Sequence, residues 1–154
     1  MRFLVDSMLG KLAKWLRILG YDTLYFRQGD DRDLLELAAE EDRIVLTRDT
    51  RLSRRWLVPT LLIKSERVEE QLSQVVRRFG LKMEEGLFSR CPECNILLKE
   101  IPKEDVIEQV PPLVYKTYDE FMTCPDCHRI YWMGTHWENI RLRIADCRLR
   151  MAEQ

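Results

Sequence analysis

The sequence predicts an α/β domain with a parallel sheet, followed by a small ribbon domain built round a four-cysteine metal site. Three observations predict it. Strand and helix signals alternate over residues 1–80, the pattern of a parallel sheet covered on both faces. The texture changes at Gly86, beyond which periodic stretches are few and Pro102, Pro111 and Pro112 appear. Two C-P-x-C pairs, Cys91 to Cys94 and Cys124 to Cys127, fall in this second part. The expected domains are residues 1–85 and 86–154.

Each element has its own signal. Phe3-Leu4-Val5 is a short apolar run ending at Asp6, as a buried strand would. Leu9, Leu12, Ala13, Leu16 and Leu19 recur at three and four residues, one face of a helix that Gly20 ends. Thr23 to Phe26 reads as a second strand, and Asp30 and Asp31 stand where helix caps belong, ahead of Leu34, Leu35, Leu37 and Ala38. Arg43 to Thr47 is the clearest strand, leading into Arg48-Asp49 and a short basic helix over Leu52 to Trp56. Thr60 to Ile63 is a fourth strand, and Val68, Leu72, Val75, Val76 and Phe79 mark a helix stopped by Gly80. Helical spacing returns between Trp137 and Met151, with Ile140, Ile144 and Cys147 on one stripe.

The cysteines carry the most specific chemistry. A two-residue gap lets two thiolates reach one ion, so Cys91, Cys94, Cys124 and Cys127 predict a closed, structural Zn²⁺ shell. Iron and a pair of redox dithiols are the alternatives. Such a metal supplies folding energy to a segment too small for a large core. Cys147 reads as a small buried hydrophobe, and His128 lies outside a ligand set that four cysteines complete.

Three aspartates hold related positions. Asp6 and Asp49 follow the first and third strands, and Asp31 opens the helix after the second. In a parallel sheet these points share one edge. Carboxylates gathered there favour Mg²⁺ or Mn²⁺. Each also has the ordinary reading of a helix cap, and Asp33 is an alternative to Asp31. Lys11, Lys14 and Arg17 form a stripe on the first helix, and Arg48, Arg51, Arg54 and Arg55 follow the third strand. They offer phosphate contacts, or simply a solvated face. Trp132 and Trp137, after the second cysteine pair, suit either base stacking or a small core.

The net charge of −1 gives no global pull toward polyanions. No apolar run reaches the roughly 20 residues of a membrane helix, and Asp6 comes too early for a secretory signal. A soluble cytoplasmic protein is expected.

Together these residues resemble a known family. Phe-Leu-Val-Asp-x-Met-Leu-Gly-Lys-Leu-Ala-Lys-Trp-Leu-Arg-x-Leu-Gly-Tyr-Asp (Phe3 to Asp22) is similar to the C-terminal RNase domain named after the Mut-seven exonuclease. So are Asp31 with Leu34-Leu35-x-Leu37-Ala38, Ile44-Val45-Leu46 with Thr47-Arg48-Asp49, and Tyr131-Trp132-x-Gly134-Thr135-His136-Trp137. The resemblance implies a PIN-like nuclease fold with a zinc ribbon, and a metal-dependent ribonuclease whose acidic positions match Asp6, Asp31 and Asp49. Many PIN nucleases carry a fourth acid soon after the third, whereas Thr50-Arg51-Leu52-Ser53 follow here. The expected function is hydrolysis of RNA with Mg²⁺ or Mn²⁺, with Lys11, Lys14, Arg17 and Arg48 binding the backbone. The alternatives are a non-catalytic RNA-binding module or a protein-interaction adaptor.

Overall fold

The computed structural model describes residues 1–55 and 57–153. It divides into two compact units, Met1–Asn95 and Ile96–Gln154. The segment 86–95, with the first cysteine pair, belongs to the first unit.

The first unit is α/β, as the alternating pattern predicts. Its strands are β1 (Arg2–Val5), β2 (Asp22–Tyr25), β3 (Ile44–Thr47) and β4 (Thr60–Leu62); its helices are α1 (Gly10–Ile18), α2 (Asp31–Glu40), α3 (Thr50–Ser53) and α4 (Val68–Phe79). The sheet order is β2-β1-β3-β4, and every pairing is parallel. Leu4 stands opposite Leu24 on one side and Val45 on the other. Right-handed crossovers make this order place helices on both faces. The step from β1 to β2 runs one way across the sheet, and the steps from β2 to β3 and on to β4 run the other. Helix α1 accordingly packs with α4, while α2 and α3 bury Leu34, Leu35, Ala38 and Leu52 against Leu4 and Val45 on the opposite face. Fully covered strands explain the unbroken apolar runs in β1 and β3.

Two boundaries differ from the sequence expectation. A 3₁₀ turn, Ser7–Leu9, precedes α1, because Asp6 accepts from the Met8 amide and tightens the entry. The basic helix begins earlier, at Thr50, because Asp49 caps it, and it ends at Ser53; the expected end at Trp56 lies outside the described residues. Gly20 stops α1 with a φ of 95°, and a Cβ there would run into the Gly86 carbonyl. Only glycine fits both demands.

The second unit holds an antiparallel sheet, β5 (Lys99–Ile101), β6 (Phe121–Thr123) and β7 (Ile130–Tyr131), in that order. Helix α5 (Pro112–Thr117) starts on a proline, whose missing N–H costs a first turn nothing. Val106, Val110 and Phe121 form its core, with Trp132 packed against them. Trp132 therefore serves packing, one of its two expected roles. Helix α6 (Thr135–Ala152) buries Ile140, Ile144 and Cys147, the expected stripe. Among the described residues, no helix is long and apolar enough to cross a membrane.

Candidate active site and metal centre

The cysteine centre is built from two copies of one turn. The Asn95 amide donates to the Cys91 carbonyl, and the His128 amide to the Cys124 carbonyl, each at 2.9 Å. The residue behind each pair is left-handed, with φ of 67° at Asn95 and 60° at His128. This closes each turn so that both of its thiols face one point. The ligand atoms of Cys91, Cys94, Cys124 and Cys127 all lie within 4.8 Å of one another. Sulfurs around a tetrahedral Zn²⁺ stand about 3.8 Å apart, given Zn–S bonds of about 2.3 Å. The four thiols thus fit one ion, whereas two redox pairs would have no reason to converge. Cys91 and Cys124 are fully buried. His128 is outside the group.

The first pair is strapped to the α/β unit. Arg17, on α1, is buried; its Nη1 donates to the carbonyls of Pro92 at 2.9 Å and Glu93 at 3.1 Å, and its Nε to the Thr23 carbonyl at 2.8 Å. Burial lowers the Arg17 pKa, and the negative charges of Cys91, Glu93 and Cys94 oppose that. The buried Asn95 side chain accepts the Thr23 amide at 2.9 Å and donates to Asp22 at 2.7 Å. Asp22 in turn binds the buried Arg43 at 2.8 Å. Burial would raise the Asp22 carboxyl, but hydrogen bonds from Arg43 and Asn95, with the charges of Arg43 and Arg90, hold it at about 2. Lys14 pairs with Glu93 at 2.7 Å on the surface.

The acidic residues lie at the opposite edge of the sheet. Adjacent strands β1 and β3 end at Val5 and Thr47, so Asp6 and Asp49 flank the place where the crossovers part to opposite faces. Crevices outside such switch points are where open α/β sheets bind ligands. Thr47, fully buried, ties the two together: its hydroxyl donates to Asp6 and accepts the Asp49 amide at 3.0 Å. Asp6 also accepts the amides of Met8 at 3.0 Å and Arg48 at 3.3 Å. Asp49 caps α3 through the Arg51 amide at 2.8 Å. Both therefore do have the capping role.

Asp31 does not cap. Asp30 caps α2, accepting from the Asp33 amide at 2.9 Å, while Asp33 accepts from the Asp30 amide at 3.1 Å. This reciprocal capping box occupies both neighbours and leaves the half-buried Asp31 as the carboxylate at the head of α2 not used in it. Among the described residues, Asp6, Asp31 and Asp49 do not form a group with ligand atoms within 4.8 Å of one another, as the cysteines do. Of the basic residues, Lys11 is exposed on α1, and the half-buried Arg48 lies 3.8 Å from the exposed Glu66.

Two contributors escaped the sequence reading. Thr47 and Asn95 look like a strand residue and a loop residue, yet the Thr47 side chain reaches Asp6 and that of Asn95 reaches Asp22 and Thr23. The D-x-x-D spacing of Asp30 and Asp33 was a readable capping signal.

Comparison with known proteins agrees with this architecture. The chain is 32% identical over 104 residues to the human protein named "Exonuclease mut-7 homolog"; the match covers 61% of this chain and 12% of that protein. No solved structure matches. The description "Mut7-C RNAse domain" matches residues 1–144, nearly the whole chain. This chain belongs to the Mut7-C RNAse domain family.

Proposed function

We propose that the chain is a metal-dependent ribonuclease acting at the C-terminal edge of the parallel sheet, with Asp6, Asp31 and Asp49 as its acidic residues. The observation that carries this reading is the placing of Asp6 and Asp49 on either side of the switch point, linked through Thr47. Membership of an RNAse family and likeness to a protein named an exonuclease support a nuclease-like function and make RNA the expected substrate.

Carboxylate oxygens suit a hard divalent ion. Mg²⁺ keeps several waters and needs only one or two direct carboxylates, so acids that do not crowd together still fit it. Such an ion supplies an acidified water and offsets phosphate charge. The chain's own groups do the rest. Thr47 and two backbone amides orient Asp6, the α3 cap orients Asp49, and Lys11 and Arg48 hold phosphates near them. Lys14 is paired with Glu93 of the first cysteine turn. Arg17 is spent on carbonyls and serves the fold.

The test is cleavage of end-labelled single-stranded and structured RNA with Mn²⁺. Asp6→Asn and Asp49→Asn are expected to cut about a hundredfold or more slowly. Cleavage equal to wild type removes these carboxylates from the chemistry. One observation favours a second reading, a non-catalytic RNA-binding module: both Asp6 oxygens already accept hydrogen bonds. It predicts salt-sensitive RNA binding, unchanged by Asp6→Asn, with no metal-dependent cleavage.

A further inference from the structure

The outer edge of β2 is an open row of backbone donors and acceptors, since among the described residues β1 is its only strand neighbour. Such edges invite pairing with other chains unless they are covered. At Thr23, fully buried, the cover consists of two side chains. Asn95 accepts the amide at 2.9 Å and Arg17 donates to the carbonyl at 2.8 Å. They replace one residue of a missing strand. Arg17 also grips the carbonyls of Pro92 and Glu93, the two residues between the first cysteines, and Asn95 is the left-handed residue that closes that turn on Cys91. Arg90, just before Cys91, donates to the carbonyls of Gly20 at 3.1 Å and Asn95 at 2.8 Å. The turn that offers two thiols is thus the same piece of chain that seals the edge.

We infer that the first cysteine turn is the guard of the β2 edge, held shut by the metal, with Arg17 and Asn95 as the positioning residues that couple metal occupancy to the sheet. The four-thiol site fits Zn²⁺, and removal of the ion frees the turn to leave Thr23. Thiolates that lose their ion take up protons and no longer share a common centre, so the turn around Cys91 and Cys94 keeps only its hydrogen bonds. The Thr23 amide is then exposed while the centre of the sheet stays intact.

Full-length zinc-loaded protein and chelator-treated protein are compared by amide exchange, with zinc content read separately by native mass spectrometry. Thr23 is expected to exchange about fivefold faster or more without zinc, the factor one net hydrogen bond represents. Val45, whose amide binds the Pro59 carbonyl in the middle of the sheet, keeps its protection. Asn95→Ala is expected to expose Thr23 to the same degree with zinc still bound. Arg17→Lys keeps the charge but not the branched donor, and is expected to yield zinc to a competing chelator about fivefold faster. Unchanged Thr23 exchange on zinc removal overturns the inference, because the edge is then covered without the ion. Loss of Val45 protection alongside Thr23 overturns it too, because the ion then supports the whole unit. Protein that takes up no zinc overturns its premise. The chelation experiment uses the natural sequence, so it stands even if either variant fails to fold.

Discussion

The Thr47 hydroxyl donates to the Asp6 carboxylate from the end of the neighbouring strand. The same oxygen accepts the Asp49 amide at 3.0 Å, so one buried side chain sets the positions of two acids forty-three residues apart in sequence. Thr47→Val keeps the shape and deletes the donor. It is expected to cost about 1–3 kcal/mol, because a carboxylate loses one of its donors and the Asp49 amide loses its acceptor. Metal-dependent RNA cleavage should fall with it, whereas Thr47→Ser retains both. Thermal melts and cleavage rates on the pair of variants check this.

The three aspartates at the head of α2 should separate into two kinds. Asp30→Ala removes the cap and is expected to cost about 0.5–2 kcal/mol with RNA cleavage kept in the folded fraction. Asp31→Asn, outside the capping box, should do the reverse: little change in melting temperature and loss of cleavage. Denaturation and activity measured on both variants make the comparison, and a cleavage loss in Asp30→Ala alone would transfer the role.

Asp22 gives the fold an acid-sensitive joint. Its carboxyl sits at about 2 in the folded protein against an ordinary 3.8. A depressed folded pKa contributes stability that is complete above the unfolded value and lost as pH falls through the folded one. Its share, roughly 2 kcal/mol at most, is expected to fade between about pH 4 and pH 2. Asp22→Asn should flatten that part of the stability profile, as followed by urea denaturation at successive pH values.

Glycines 20 and 80 both take positive φ, at 95° and 62°, but in different surroundings. Gly80→Ala meets open space, so only its backbone conformation is strained, which costs about 1 kcal/mol. Gly20→Ala adds a collision with the Gly86 backbone and is expected to cost more than about 2 kcal/mol. Melting temperatures of the two variants rank them.

What the sequence discloses follows from the range of each interaction. Apolar runs and three-four spacing are local, so β1, β3, α1 and α4 were legible, as was the C-P-x-C spacing. The convergence of the two cysteine pairs is long-range, yet thiolate chemistry allows few other arrangements, so it could be argued. In the sequence Arg17 belongs to a basic stripe with Lys11 and Lys14. Nothing local marks it as the residue whose partners are the carbonyls of Thr23, Pro92 and Glu93. Thr47 was hidden for the same reason: it satisfies strand propensity and only tertiary packing turns its hydroxyl toward Asp6. The order of duties among Asp30, Asp31 and Asp33 depends on a reciprocal pair of hydrogen bonds, which fixes the helix start more finely than propensity does.

Asn95 and His128 occupy the same left-handed place behind their cysteine pairs, but the match ends at the backbone. The side chain at 95 is buried and committed, and the one at 128 is exposed. A protein engineer could therefore exchange the imidazole for glycine and gain by relaxing the main chain, while the same edit at the amide would strip a strand of its neighbour. The two halves of the thiolate shell are twins in shape and unequal in tolerance to change.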